Sequence, residues 1–198
     1  MTQTLNNTPN NTSKNSLCDV NNSALVVIDI QTRLGNAMPE KVLNRVIENS
    51  TFLIKSANLL DVPVISTAQY PKGLGGLVEG INDNLSDSAH YIEKTCFSCC
   101  GSDQFMQTLQ NSGRRQIILT GMEAHVCVLQ TAIELQENSY DVFTVSDAIC
   151  SRRSDNYHNA KDRMSLLNIQ QTNVESVAFE WLRDAKNQHF KQISSWLR

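Results

Sequence analysis

The feature that most constrains this chain is a set of short apolar runs with no polar residue at alternate positions. Ala24–Asp29 reads ALVVID, Pro63–Thr67 PVIST, Arg115–Thr120 RQIILT and Asp141–Ser146 DVFTVS. A strand with one wet face alternates apolar and polar side chains. An unbroken run fits a strand covered on both faces, as in a parallel sheet. Helical patterns separate the runs. One spans about Glu40 to Leu60 with Pro39 opening it, and one spans Ser102 to Ser112 with Ser102 as N-cap and Gly113 at C′. Others start near His125, Ser154 and Ser176, and a terminal one lies in HFKQISSWLR. His90–Lys94 and Thr172–Val174 read as further strands, and AQYPKGLGGLVEGIND as loop. This alternation over 198 residues predicts a single α/β domain, a parallel sheet with helices on both faces. Residues 1–22, rich in Asn and Thr, offer little to bury and are expected to form a mobile tail, leaving 23–198 as the domain.

Composition excludes several classes. A net charge of −3 carries no electrostatic footprint for nucleic acid or an anionic membrane. No apolar run approaches the roughly 20 residues of a membrane span. The N-terminus lacks a basic stretch followed by an apolar core, so no secretory signal is read. Six cysteines in a chain of this length are too sparse for a disulfide scaffold. Reduced thiols and a cytoplasmic setting are expected.

In open parallel sheets the ligand crevice lies beyond the carboxyl ends of the strands. Asp29, Lys94, the segment Gly121–Cys127 and Asp147 all fall at such ends. An acid, a cation and a thiol are thereby expected on one rim. Cys127 near a helix start, with Lys94 close by, is expected to have its thiolate favoured. Asp29 is placed to accept the thiol proton, and turn amides to hold an oxyanion. His125 is the tempting base, but residues two apart on a helix do not face each other, so its ring should point away from the thiol.

These residues sit in three motifs in order: VVIDIQ with Asp29, YIEKTCFS with Lys94 and GMEAHVCVLQTA with Cys127. With them the chain resembles the isochorismatase-like cysteine hydrolases, over about Ala24 to Ala185, and most closely the isochorismatase-domain-containing and YcaC-like branch. The resemblance implies a Rossmann-like three-layer α/β/α sandwich and an Asp29, Lys94, Cys127 triad. It also implies a cis peptide at Met122–Glu123, with the amides of Glu123 and Cys127 turned toward an oxyanion. The implied reaction is thiolate attack on a carbonyl and hydrolysis of a thioester, cleaving an amide-type C–N bond of a small molecule. Family members assemble as homo-oligomers and this branch implies no cofactor. Nicotinamidases of the family carry an Asp-x-His…His metal site after the second strand. Here STAQYPKGLGG holds neither residue, so no metal site is expected. The family's aromatic five residues after the acid is replaced by Leu34.

Tyr70, Lys72 and Phe97 are the candidate substrate-binding residues. Cys96, Cys99 and Cys100 in CFSCC lack the second cluster that a closed zinc site needs. Trp181 and Trp196 read as core or subunit-contact anchors and His158 as a packing or interface residue. The alternative to an enzyme is a binding or thiol redox-sensing protein on the same fold.

Overall fold

The computed structural model describes residues 17–197. In chain order the elements are β1 (Ser23–Ile28), α1 (Thr32–Gly35), α2 (Glu40–Leu59), β2 (Val64–Gln69), α3 (Pro71–Leu74), α4 (Glu79–Asn82), β3 (His90–Lys94), α5 (Asp103–Asn111), β4 (Gln116–Met122), α6 (Leu129–Glu137), β5 (Asp141–Cys150), α7 (Ser154–Leu166), β6 (Gln170–Thr172), α8 (Val174–Leu182) and α9 (Phe190–Ser195). A 3₁₀ turn at Cys99–Gly101 precedes α5, and a π-type turn at Ala124–Val128 leads into α6.

The strands form one sheet in the order β3-β2-β1-β4-β5-β6, and every pairing is parallel. That is a doubly wound order, reversing between β1 and β4. β1 shows why its run is unbroken. Leu25 and Val27 pack with Val46, Leu53, Val177 and Trp181 from α2 and α8. Ala24, Val26 and Ile28 pack with Phe105, Leu129 and Met164 from α5, α6 and α7. Both faces are therefore dry, and the molecule is a three-layer α/β/α sandwich with two cores.

Ser102 caps α5 through its hydroxyl, which accepts from the Phe105 amide, and Gly113 beyond it has φ +67°. The expected loop after β2 contains two short helical turns, α3 and α4, and Leu77 bridges to Gln31. β5 runs four residues past the expected end at Ser146, because its pairing with β4 skips. Leu119 lies opposite Thr144, yet Gly121 lies opposite Ile149. Asp147, read as a strand-end residue of the rim, sits inside this irregular stretch. Its carboxylate accepts from the Val174 amide and its carbonyl from Asn49. It caps α8 and belongs to the framework.

Most of the expected tail, residues 1–16, lies outside the described residues. Within 17–22, Leu17, Asp19 and Asn21 are exposed, while Cys18 is fully buried, its amide donates to Glu180 and its carbonyl accepts from Arg183. Gln116 accepts from the Asp19 amide and donates to the Leu17 carbonyl. A polar stretch is held here by backbone hydrogen bonds, which composition does not reveal. Trp181 is core, its indole donating to Ser23. No described helix is long and apolar enough to cross a membrane.

Gly121 lies beside Ile28 across the switch point with φ +119°. A Cβ there would stand 2.0 Å from the Ile28 carbonyl oxygen. Gly121→Ala is expected to cost about 3 kcal/mol or more, through left-handed strain and separation of β1 from β4. Gly76→Ala, with nothing within 4 Å of the new Cβ, is expected to stay within about 0.5 kcal/mol. Urea unfolding of the two variants measures the contrast.

Candidate active site

The rim is built at the switch point. β1 ends at Ile28, and Asp29 turns out of the sheet with φ +52°, a left-handed conformation that a short polar side chain tolerates. Its amide donates to the Thr67 carbonyl of β2. β3 delivers Lys94 two strands away, and the turn after β4 delivers Cys127. The structure brings all three together.

Asp29 and Lys94 form a salt bridge of 2.7 Å with both side chains at zero exposure. Asp29 Oδ1 accepts from the Thr67 hydroxyl at 2.7 Å. Lys94 Nζ also faces Gln69 Oε1 at 2.9 Å and the carbonyls of Cys96 and Phe97 at 3.2 and 3.1 Å. Four acceptors for three protons leave the ammonium saturated and held in its charged form. Burial pulls the Lys94 pKa down, but the Asp29 charge and neighbouring thiols carry it above its ordinary value.

Cys127 is buried, 5 % exposed. Its thiol is pushed above the ordinary value, by desolvation first and then by the Asp29 charge, with Lys94 opposing. The expected thiolate is thereby corrected. Helix-start amides and Lys94 do not outweigh burial and the nearby Asp29 charge. The resting arrangement is a neutral thiol against an ion pair.

His125 points elsewhere. Its Nδ1 meets Ser151 Oγ at 2.9 Å and its Nε2 meets Asn156 Nδ2 at 3.2 Å, both beyond β5. Both nitrogens are occupied away from Cys127. The Met122–Glu123 peptide is cis. The Glu123 carbonyl accepts from the Val126 and Val128 amides, which winds the π-type turn that presents Cys127.

Tyr70, Pro71, Lys72, Thr95 and Cys96 line a cleft of about 460 Å³ that reaches Lys94. Tyr70 is 54 % exposed at its mouth. Phe97 contributes its carbonyl to Lys94, but its ring, 56 % exposed, does not line that cleft. Leu34 packs against the core. A comparable cleft by Pro63, His90 and Asn111 lies at the opposite end of the strands. Cys99 is buried under the rim, with its amide donating to Thr131 one turn after Cys127. Among the described residues no group of three or more His, Cys, Asp or Glu is placed to hold a metal.

Sequence reasoning missed the amides and hydroxyls around the ion pair. Gln69 orients its amide between Lys94 and the Thr95 carbonyl. Gln31 accepts from the Gln69 amide and donates to the Gln69 and Gly75 carbonyls. The available signal was position: Thr67 and Gln69 are two residues apart at the carboxyl end of β2, on one face, between Asp29 and Lys94.

With the geometry in place, comparison with known proteins is direct. The isochorismatase domain model matches residues 23–176. Isochorismatase family protein 1A of Dictyostelium discoideum is 38% identical over 176 residues, covering 87% of this chain and 84% of that protein. Among solved structures, MAR1 ribonuclease from Caenorhabditis elegans is similar with a TM-score of 0.86 and 32% identity, over 92% of each chain. The YcaC gene product of Escherichia coli, an octameric hydrolase of unknown specificity, is similar with a TM-score of 0.82 and 28% identity, over 91% of this chain and 89% of that one. The match runs through the whole sheet and the rim it carries, and the chain belongs to the isochorismatase-like hydrolase family.

Proposed function

We propose that this protein is a metal-independent cysteine hydrolase that cleaves an amide-type C–N bond of a small molecule through a thioester on Cys127. The observation that carries the reading is the Asp29–Lys94 ion pair, buried at 2.7 Å, with the buried Cys127 thiol under the influence of both its charges. As Sγ attacks the carbonyl carbon, Asp29 takes the thiol proton while Lys94 stays paired with its carboxylate. The oxyanion forms at the amides of Glu123 and Cys127. Collapse breaks the C–N bond, and the Asp29 proton leaves with the amine. Water then attacks the thioester with Asp29 as base, releasing the acid and restoring the thiol. The reading uses no metal, because the segment STAQYPKGLGG holds no Asp or His ligand.

With Cys127 only 5 % exposed, the reading is of a small carbonyl compound as substrate rather than a folded polymer. Tyr70 and Lys72, which line the cleft beside Lys94, are proposed to meet the rest of the substrate. The reading includes action in the cytoplasm without a cofactor, as a homo-oligomer. The exposed aromatics Tyr70, Tyr91 and Phe97 gather near the free edge of β3, and the similar Escherichia coli protein is an octamer.

The test is a panel of small amides, ureas, carbamates and esters, with RNA as a further substrate because one similar structure is of a ribonuclease. Turnover of an amide-type compound is expected, falling about a thousandfold or more in Cys127→Ala. RNA cleavage with inert amides, or turnover that survives Cys127→Ala, contradicts the reading. The proton arrangement has its own check. Because the Asp29 charge raises the Cys127 pKa and Lys94 lowers it, Asp29→Asn is expected to shift the iodoacetamide labelling curve of Cys127 to lower pH while abolishing turnover. Lys94→Ala is expected to shift it to higher pH. In the unmodified protein, labelling should keep rising above pH 9, beyond the range where a free thiol of pKa about 8.5 levels off. Peptide mass spectrometry from pH 6 to pH 11 reads all three curves.

A further inference from the structure

The turn between β4 and Cys127 is tied by two of its own side chains to the loop after β5. Glu123, 5 % exposed, receives the Arg152 backbone amide on Oε2 at 2.9 Å and the Arg152 guanidinium on Oε1 at 3.1 Å. His125 is held by Ser151 and Asn156. The β5 irregularity puts this loop there: Met122 pairs with Cys150, so Ser151 and Arg152 follow directly beside Glu123. The Arg152 side chain is 58 % exposed, while the carboxylate it meets is buried. A buried carboxylate with two donors from one residue is a rigid joint, because each bond to a charged group exceeds a neutral one and both fix the same plane.

Neither tie touches Asp29, Lys94 or the Cys127 sulfur. Both act on the backbone that carries the Glu123 and Cys127 amides. Oxyanion stabilisation is sensitive to sub-ångström placement of donors, whereas a sulfur on a packed turn needs only to be reached.

We propose that Glu123 and Arg152 are a positioning pair that holds the turn from Glu123 to Cys127 in register with the developing oxyanion, with His125 as a second anchor to the same loop. The pair acts through the backbone and does not tune the thiol. This rests on the reading of Cys127 as an acyl-accepting nucleophile.

Two reagents separate the roles. p-Nitrophenyl acetate acylates a thiol through a tetrahedral oxyanion and releases p-nitrophenolate. Iodoacetamide alkylates the same sulfur by displacement of iodide, with no oxyanion. Glu123→Ala and Arg152→Ala are each expected to slow acylation on the order of ten- to a hundredfold, while alkylation of Cys127 stays within about twofold. The double variant should be no slower than the slower single one, since both remove one joint. Glu123→Gln, which keeps an acceptor for the Arg152 amide, should recover part of the loss. Arg152→Ala alters a largely exposed side chain and serves even where Glu123→Ala fails to fold. Acylation unchanged in Arg152→Ala, or acylation and alkylation falling together, overturns the positioning pair. An unmodified protein that shows no Cys127-dependent acylation overturns the hydrolase reading itself, and the pair with it.

Discussion

A carboxylate and an ammonium lie 2.7 Å apart with no exposure to solvent at the carboxyl end of the sheet. Buried ions of this kind cost several kcal/mol each to desolvate, and the pair survives only where each remaining lone pair and proton finds a partner. The rim meets that demand. Thr67 fills Asp29, and Gln69 with two carbonyls fills Lys94. Gln31 in turn holds Gln69 and reaches the Gly75 carbonyl in the loop after α3. The loops around the site are thus organised by the hydrogen-bond requirements of one ion pair. Removing one partner would leave an uncompensated buried charge, about 3–5 kcal/mol in comparable pairs.

Cys127 gains its character from the same pair. Desolvation and the Asp29 charge push its pKa up, and Lys94 opposes them. Lys94 is too heavily engaged to act as the proton acceptor. Its contribution is the countercharge that the buried Asp29 carboxylate meets at 2.7 Å. A thiol that stays neutral until a carbonyl arrives is also poorly suited to chance oxidation, because the thiolate is the oxidisable form. That speaks for turnover over redox sensing at this position.

Much of this was legible in the residues. Unbroken runs such as ALVVID specify strands covered on both faces, and the alternation with helices specifies a parallel sheet. Asp29 and Cys127 follow strands and Lys94 ends one, which places them on one rim. His125 was separable from Cys127 by helix geometry, and Ser151 and Asn156 account for its ring. Other features depend on distant pairing. The burial of Cys18 comes from Glu180 and Arg183. The register skip between Leu119 and Gly121 lengthens β5 and moves Asp147 into the framework. The direction of the Cys127 shift depends on how deeply the thiol sits, which spacing along the chain does not encode.

The central claim is that Cys127 carries the acyl group between the two halves of the reaction. Acid-quenching the protein at short times after mixing with p-nitrophenyl acetate, followed by peptide mass spectrometry, locates that group. One acetyl on Cys127 is predicted, appearing with the first p-nitrophenolate, decaying as the thioester hydrolyses and absent from Cys127→Ala. Release of p-nitrophenolate with Cys127 unmodified, or an acetyl that settles on another residue, would contradict the account.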